Sequence, residues 1–382
     1  LLQINHSSIR KLEYDFSNTV GIWGNRIYYN MTSIHNILSS SPLKVYFKDA
    51  FNKFVGYPDN DVADLDTSKK NSFLKLITRL IRLNFGLEKN VQIIEKIVSE
   101  YSEKLSKAKE YTDYKELYYE FLDLRFNQWY HASLADLFSM IHYKLLGKIT
   151  LKFYGEKSVG VHNVLVQAIP GLISSEPLSD IYDIAQKINK NKEAKALFLS
   201  NPAKKVYQEL KESKQWESIN EPIQKYLVVW GFRCSGELMF FKKNYIEDPS
   251  EFIELLQTYL KQETKDPRAL IAVKDKDRKR AMRSFAWKIL KKRHVFLPLS
   301  VLEIGQLYLS ATLCKQAISS RERVRYKQAE MYFNFKIVVK EIGKIALKKG
   351  TIKKVDDIFY LKYKEIGALI SSSDMFSNTI EQ

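Results

Sequence analysis

Apolar positions recur at helical spacing along most of the chain. Phe73, Leu74, Ile77, Leu80 and Ile81 share one stripe, which stops near Gly86. Val91, Ile94, Val98, Tyr101 and Leu105 make a second. A third, longer pattern runs through Tyr118, Phe121, Leu122 and Trp129 toward Leu145 and Leu146. A helix start is expected at Asp248-Pro249-Ser250-Glu251. There Asp248 can cap, Pro249 suits the first helical position, and Glu251 can reach back as in a capping box. Phe252, Leu255, Leu256 and Tyr259 then face a core. The last long pattern runs from about Ser319 to Lys349 and meets a stop at Gly350.

Strand evidence is thin. Residues 226–230 and 358–361 are short, apolar and partly β-branched, and fit a strand or a buried helical segment alike. The most apolar long stretch, 295–313, holds Pro298 in its first turn and Glu303 inside it. It is expected as a buried helix, because a membrane-spanning one needs about 20 nearly uncharged residues. Only 14 Gly and 9 Pro occur, which favours long helices with short connections. The expected fold is mainly α, with at most a few short strands.

The 382 residues amount to about two domains' worth of protein. No internal repeat or low-complexity linker divides them. The expected unit is 1–382, with a possible subdivision into 1–262 and 284–382. The charged run 263–283 would then be the connector, either mobile or a solvated helix face. With 23 Tyr, 21 Phe and 5 Trp, the chain is too aromatic for the disordered class.

The formal charge of +17 implies an anionic partner: nucleic acid, a membrane surface or phosphorylated ligands. The excess is spread over many Lys and forms no single tail, so nucleic acid is not the expected partner. Cys234 and Cys314 are far apart and make neither a disulfide framework nor a zinc pattern. A reducing, cytoplasmic setting is expected. The chain opens at Leu1 with no signal peptide, as a fragment or processed piece would.

Several chemistries lack their motifs. Gly147-Lys148 and Gly343-Lys344 are each followed by Ile, so neither closes a phosphate-binding loop. The six His are scattered, none is followed by Gly, and no metal site is expected. Neither a dinucleotide fingerprint nor a serine-nucleophile elbow is present.

Three segments hold candidate chemistry. The first, Gly24-Asn25-Arg26-Ile27-Tyr28-Tyr29-Asn30-Met31-Thr32, mixes polar and aromatic groups ahead of a helical pattern. A structural reading is also open, with Asn30 or Thr32 as a cap and Tyr28 in a core. The second is Trp230-Gly231-Phe232-Arg233-Cys234-Ser235-Gly236-Glu237-Leu238. Its glycines permit close backbone approach, and Arg233 offers a planar fork for carboxylate or phosphate. Glu237 would orient Arg233 or a bound hydroxyl, or the two would simply pin a buried loop. The third is Arg321-Glu322-Arg323-Val324-Arg325-Tyr326. Arg321 and Arg325 share a helix face, and like charges at that spacing repel unless an anion or an acidic side chain lies between them. Glu322 is a base if it points inward. An exposed charged turn is the plain alternative.

In order, these segments resemble the central region of the phosphoenolpyruvate-utilising superfamily, in its phosphoenolpyruvate-synthase and rifampicin-phosphotransferase-like branch. Gly24 to Thr32 matches a G-R-x-Y-Y-N-[LM]-T segment, with Asn25 as an insertion-like position. Ser174-Ser175-Glu176-Pro177 matches S-x-E-P. Gly231 to Glu237, followed by Asp248-Pro249, matches G-H-R-[GC]-x-G-E and D-P. Arg321, Glu322 and Arg325 match R-E-x-x-[KR], and Asp356 to Leu361 matches D-D-[VI]-F-[YF]-L. The likeness spans about residues 20–366. Two departures stand out: Phe232 replaces a His common in relatives, and Arg325 replaces a Lys found in several.

The resemblance implies a helical acceptor-binding domain within a larger enzyme. Its partners would be an ATP-grasp domain and a swivelling domain carrying a phosphohistidine. ATP and Mg would belong to the parent enzyme, with no cofactor held by this chain, which would be inactive alone. The missing His-Gly, and an end soon after Asp356–Leu361, fit that position. The resemblance implies that Arg321, Glu322 and Arg325 border the transfer site, with Glu322 taking the acceptor's proton. Arg233 and Glu237 would shape the same end of the pocket, and Arg26 and Tyr28 would help to bind the acceptor. A different class of reading is a helical scaffold that docks a partner protein.

Overall fold

The computed structural model describes residues 20–23, 26–39, 70–154, 160–233, 238–262, 264–292 and 297–371. These are almost all helical. The strands are β1 (Val20–Trp23) and β2 (Arg26–Tyr29), antiparallel with Val20 opposite Tyr29. Helices α1 (Met31–Ser39) and α2 (Lys70–Phe85) follow. Leu80 of α2 packs inward as expected and Leu83 joins it, while Ile81 is exposed; the side chains of Phe73, Leu74 and Ile77 lie outside the described residues.

The second apolar stripe is α3 (Leu87–Lys107), which buries Val91, Ile94, Val98 and Tyr101. The third is not one helix. It divides into α4 (Tyr111–Asp123), a π-helical turn (Leu124–Gln128) and α5 (Tyr130–Tyr154). A short α6 (Val161–Val166) follows. Next come α7 (Glu176–Lys190), α8 (Lys192–Ser200), α9 (Ala203–Glu212) and α10 (Glu217–Trp230). Residues 226–230 are therefore helical.

Helix α11 (Pro249–Lys261) starts as expected: Asp248 accepts from the Ser250 N–H, and Pro249 sits in the first turn. Glu251 does not reach back. The Asp248 N–H is already given to the Asn244 carbonyl at 2.8 Å, and Glu251 pairs with Lys242 at 3.8 Å. Most of the charged run 263–283 lies in α12 (Pro267–Lys292), which buries Arg278, Met282, Phe285 and Ile289.

Helix α13 (Leu297–Lys348) organises the molecule. Its 52 residues merge the 295–313 stretch with the 319–349 pattern into a rod of about 78 Å. It ends on Gly350, whose φ of +73° is open to glycine at little cost. Gly350 N–H reaches Leu347 O, and Thr351 N–H reaches Ala346 O, which satisfies two terminal carbonyls. A 3-10 turn (Val355–Tyr360) holds residues 358–360, and α14 (Tyr363–Ser371) follows.

Three apolar cores line up along α13. Its first half meets α5, α6 and α12 through Leu307, Ala311 and Cys314. Its second half meets α3, α4, α5, the 3-10 turn and α14 through Val324, Met331, Phe335 and Val338. Helices α7–α11 form a core of their own, and Tyr326 packs against it. Near its midpoint, at Tyr326, α13 thus meets this third core as well.

Among the described residues, no helix is long and apolar enough to cross a membrane.

Candidate functional site

Three of the sequence segments meet near Tyr326. The Trp230 ring lies 5.5 Å from it and the Phe232 ring 5.3 Å, both edge-on. Burial raises the Tyr326 hydroxyl above its ordinary range. Glu330 and Glu176 add to the rise, and Arg233 opposes it. The Ser174–Pro177, Trp230–Arg233 and Arg321–Tyr326 segments therefore converge on one side chain, although about 50 to 150 residues separate them in the chain.

The local structure explains how Trp230–Arg233 is held. Helix α10 ends at Trp230, and its indole N–H donates to Asp180 of α7 at 2.9 Å. Gly231 gives its N–H to Leu227 O and accepts from Ile246 N. A Cβ on Gly231 would stand 2.1 Å from the Leu227 carbonyl oxygen and 2.8 Å from Ile246, so glycine is required there. Arg233 N–H caps Trp230 O at 2.9 Å.

The two arginines four apart do have an acid between them. Asp136 of α5 lies 2.8 Å from Arg321 Nε and 3.9 Å from Arg325 Nε. Nothing local in the sequence signals this partner, which is 185 residues from Arg321. Arg323 turns the other way, bridging Glu88 and Glu95 of α3 at 2.9 and 2.7 Å. Those carboxylates hold its guanidinium above its ordinary pKa, against the effect of burial. Glu322 is half-buried, and among the described residues its carboxylate makes no hydrogen bond or ion pair. These residues lie mid-helix in α13; they do not open a helix.

Glu237 lies outside the described residues, as do the side chains of Arg26 and Tyr28. The backbones of Arg26 and Tyr28 belong to β2.

A small cleft of about 30 Å³ opens further along α13. Phe232, Leu238, Met239 and Phe240 form one wall, and Ala329, Tyr332 and Phe333 the other. Lys242, Asn244 and Lys336 also line it. Arg321, Glu322 and Arg233 do not line it. A second cavity of about 250 Å³ lies between α7 and α10. Two of its carboxylates are already engaged, Asp180 by Trp230 and Asp183 by Arg268. Among the described residues, no three His, Cys, Asp or Glu side chains group as a metal site.

Residues 132–297 match the family described as the rifampicin phosphotransferase fourth domain. The rifampicin phosphotransferase of Bacillus cereus is 24% identical over 231 residues, which is 59% of this chain and 25% of that protein. The chain is a relative of the phosphoenolpyruvate-utilising enzymes. It spans about a quarter of the length of the phosphotransferase it matches. The fourth-domain match includes Glu176, Asp180, Arg233 and the start of the cleft wall, while Arg321, Glu322 and Arg325 lie beyond it.

Proposed function

We propose that this chain is the acceptor-binding part of an ATP-dependent phosphotransferase that relays phosphate through a phosphohistidine. The observation that carries the reading is Glu322. It is a half-buried carboxylate without a partner among the described residues, one turn from the point where the three segments meet. Beside it stand Arg321 and Arg325.

A phosphoryl group in flight spreads negative charge over its oxygens, and fixed cations stabilise that charge. Arg321 and Arg325 would do this, with Asp136, 2.8 and 3.9 Å from their Nε atoms, holding them until a phosphoryl group competes. Glu322 accepts the proton of the acceptor hydroxyl. Arg325 keeps the charge of the Lys seen in relatives but cannot shuttle a proton. That leaves the proton step to Glu322. ATP and magnesium would bind an ATP-grasp partner, and a swivelling phosphohistidine domain would deliver the phosphate.

The test supplies this chain with those two domains, ATP, magnesium and hydroxyl acceptors, and follows acceptor phosphorylation by mass. Glu322→Gln is expected to slow turnover by about 10²- to 10⁴-fold. Turnover within threefold of the parent protein would remove Glu322 from the reaction.

A further inference from the structure

We propose that the outward face of α12 is the docking surface for an acidic helix of a separate partner protein. Helix α12 carries ten Lys and Arg against two Asp, so nearly half of the chain's net charge of +17 sits on 26 residues. No Asp or Glu occurs between Asp277 and Glu303.

The cations form a stripe. Val273, Lys276, Arg280, Arg283, Trp287 and Lys291 step by three or four residues, which places all six within about 80° of the helix circumference. Each of them is exposed. Met282, Phe285 and Ile289 lie nearly opposite and pack against α5, α6 and α13. Like charges three and four residues apart repel. Arg280 reaches Asp277 at 3.4 Å, and among the described residues no carboxylate pairs with Lys276, Arg283 or Lys291. An anionic surface laid along the stripe relieves that repulsion. Arg321 and Arg325 show the same pattern, but there Asp136 supplies the acid from within the chain. Trp287, 60% exposed, and Val273, 56% exposed, give the stripe an apolar foothold. Trp and Arg are the side chains that most often carry the energy of an interface.

Three anionic occupants meet the charge, and the geometry favours one. Alternating steps of three and four residues are the seam along which helices pack on each other. A partner helix with Asp or Glu at the same steps sets an acid opposite each cation over about 27 Å. A bilayer needs a broad apolar face, whereas Val273 and Trp287 are the only large apolar side chains in the stripe. Single-stranded nucleic acid is held on several stacking rings, and the one ring here already has the Lys291 ammonium 5.9 Å from its centroid. A face this polar fits a partner that comes and goes, because permanent interfaces are more apolar. The inference stands apart from the proposed function.

The experiment uses the 382-residue chain and an alanine-based peptide of about 21 residues, long enough to be helical. Its glutamates step by three and four along one face, with alanine opposite Trp287. A second peptide has the same composition with the glutamates spread round the helix. Fluorescence anisotropy at about 0.15 M salt is expected to give the first a Kd on the order of 10–100 µM, and the second at least about fivefold weaker binding. Arg283→Glu should weaken the first peptide about tenfold, and Trp287→Ala about fivefold. Lys364→Glu makes the same change of net charge on α14 and should alter binding less than about twofold. Equal binding of the two peptides, or equal losses from Arg283→Glu and Lys364→Glu, would reduce the stripe to unspecific charge and overturn the site. Tighter binding of dodecauridylate, or of phosphatidylserine vesicles, would give the face to nucleic acid or to a bilayer instead. Dimerisation of the chain that Arg283→Glu abolishes would give it to a second copy. Loss of peptide binding once ATP-grasp and swivelling domains are added would give it to a neighbouring domain. Each of these three outcomes overturns the separate partner.

Discussion

The two halves of α13 are similarly apolar and very differently buried. Residues 317–348 run between α3, α4, α5 and the 3-10 turn, and bury Val324, Met331, Phe335, Val338, Val339 and Ile342. Even Asn334 and Lys336 are inside. Among the described residues, 297–316 have neighbours on one side only. Ser300, Glu303, Leu307, Ala311 and Cys314 turn inward, while Val301, Leu302 and Leu309 are 60–66% exposed. The expectation of a buried helix at 295–313 is corrected on this point. Hydropathy measures what a segment would gain by burial, and the flanking elements decide whether it is buried. Within the first half, the buried Glu303 is paired at 2.8 Å with Lys152 of α5.

The sharpest way to break this comparison is to cut equal amounts of side chain from each half. Phe335 stacks on Phe121 with centroids 3.6 Å apart and touches Tyr118 and Phe240 as well. Phe335→Ala should cost about 3–5 kcal/mol of unfolding free energy in urea titrations. A loss under about 1 kcal/mol would mean that the second half is no better packed than the first.

How much of this was legible in the sequence follows the same division between local and long-range signals. The α3 stripe, the Asp248-Pro249 start and the Gly350 stop were readable because each depends on residues within one or two turns. The continuity of α13 was not. No Gly or Pro separates Leu313 from Ser319, but the buried stripe changes partners there, so one helix reads as two patterns. The run 263–283 reads as a connector because the buried residues of α12 come late, at Arg278, Met282 and Phe285. Of the candidate site, Arg321, Glu322, Arg325 and Arg233 could be singled out by type and spacing. Asp136, Tyr326 as the meeting point, and the cleft with Lys336 and Asn244 could not, since all three are made by chain segments far apart in sequence. A single unexplained pair of like charges on one helix face was the only local trace of Asp136.

A smaller effect should separate the halves by pH. In the second half, Glu247 takes the ammonium groups of Lys336 and Lys340 at 2.5 and 2.6 Å. Burial works to raise its carboxyl, and the two lysines outweigh burial and hold it below the usual carboxylate range. A carboxyl depressed in the folded state stabilises above its unfolded pKa, and that contribution is lost as pH falls through the folded value. Glu247→Gln should therefore cost about 1–3 kcal/mol at pH 7. Below about pH 4 the gap between variant and parent should narrow. A gap that stays constant from pH 7 to pH 3 would show that the carboxylate charge contributes nothing, and that only the shape of the side chain matters.

The smallest effect tests the exposed half itself. Leu302 is 66% exposed, and Val301 and Leu309 beside it are similar. Removing an exposed side chain forfeits little buried area, so Leu302→Ser should cost no more than about 1 kcal/mol, most of it helix propensity. That loss of propensity, about half a kcal/mol, sets the lower limit on what can be read. The informative comparison is with the buried neighbour Leu307, fully enclosed one to two turns away on the opposite side. Leu307→Ala should cost about 2–4 kcal/mol in the same urea titration. If Leu302→Ser proved as costly as Leu307→Ala, the outer face of the first half would be covered in solution, and the contrast between the two halves would vanish.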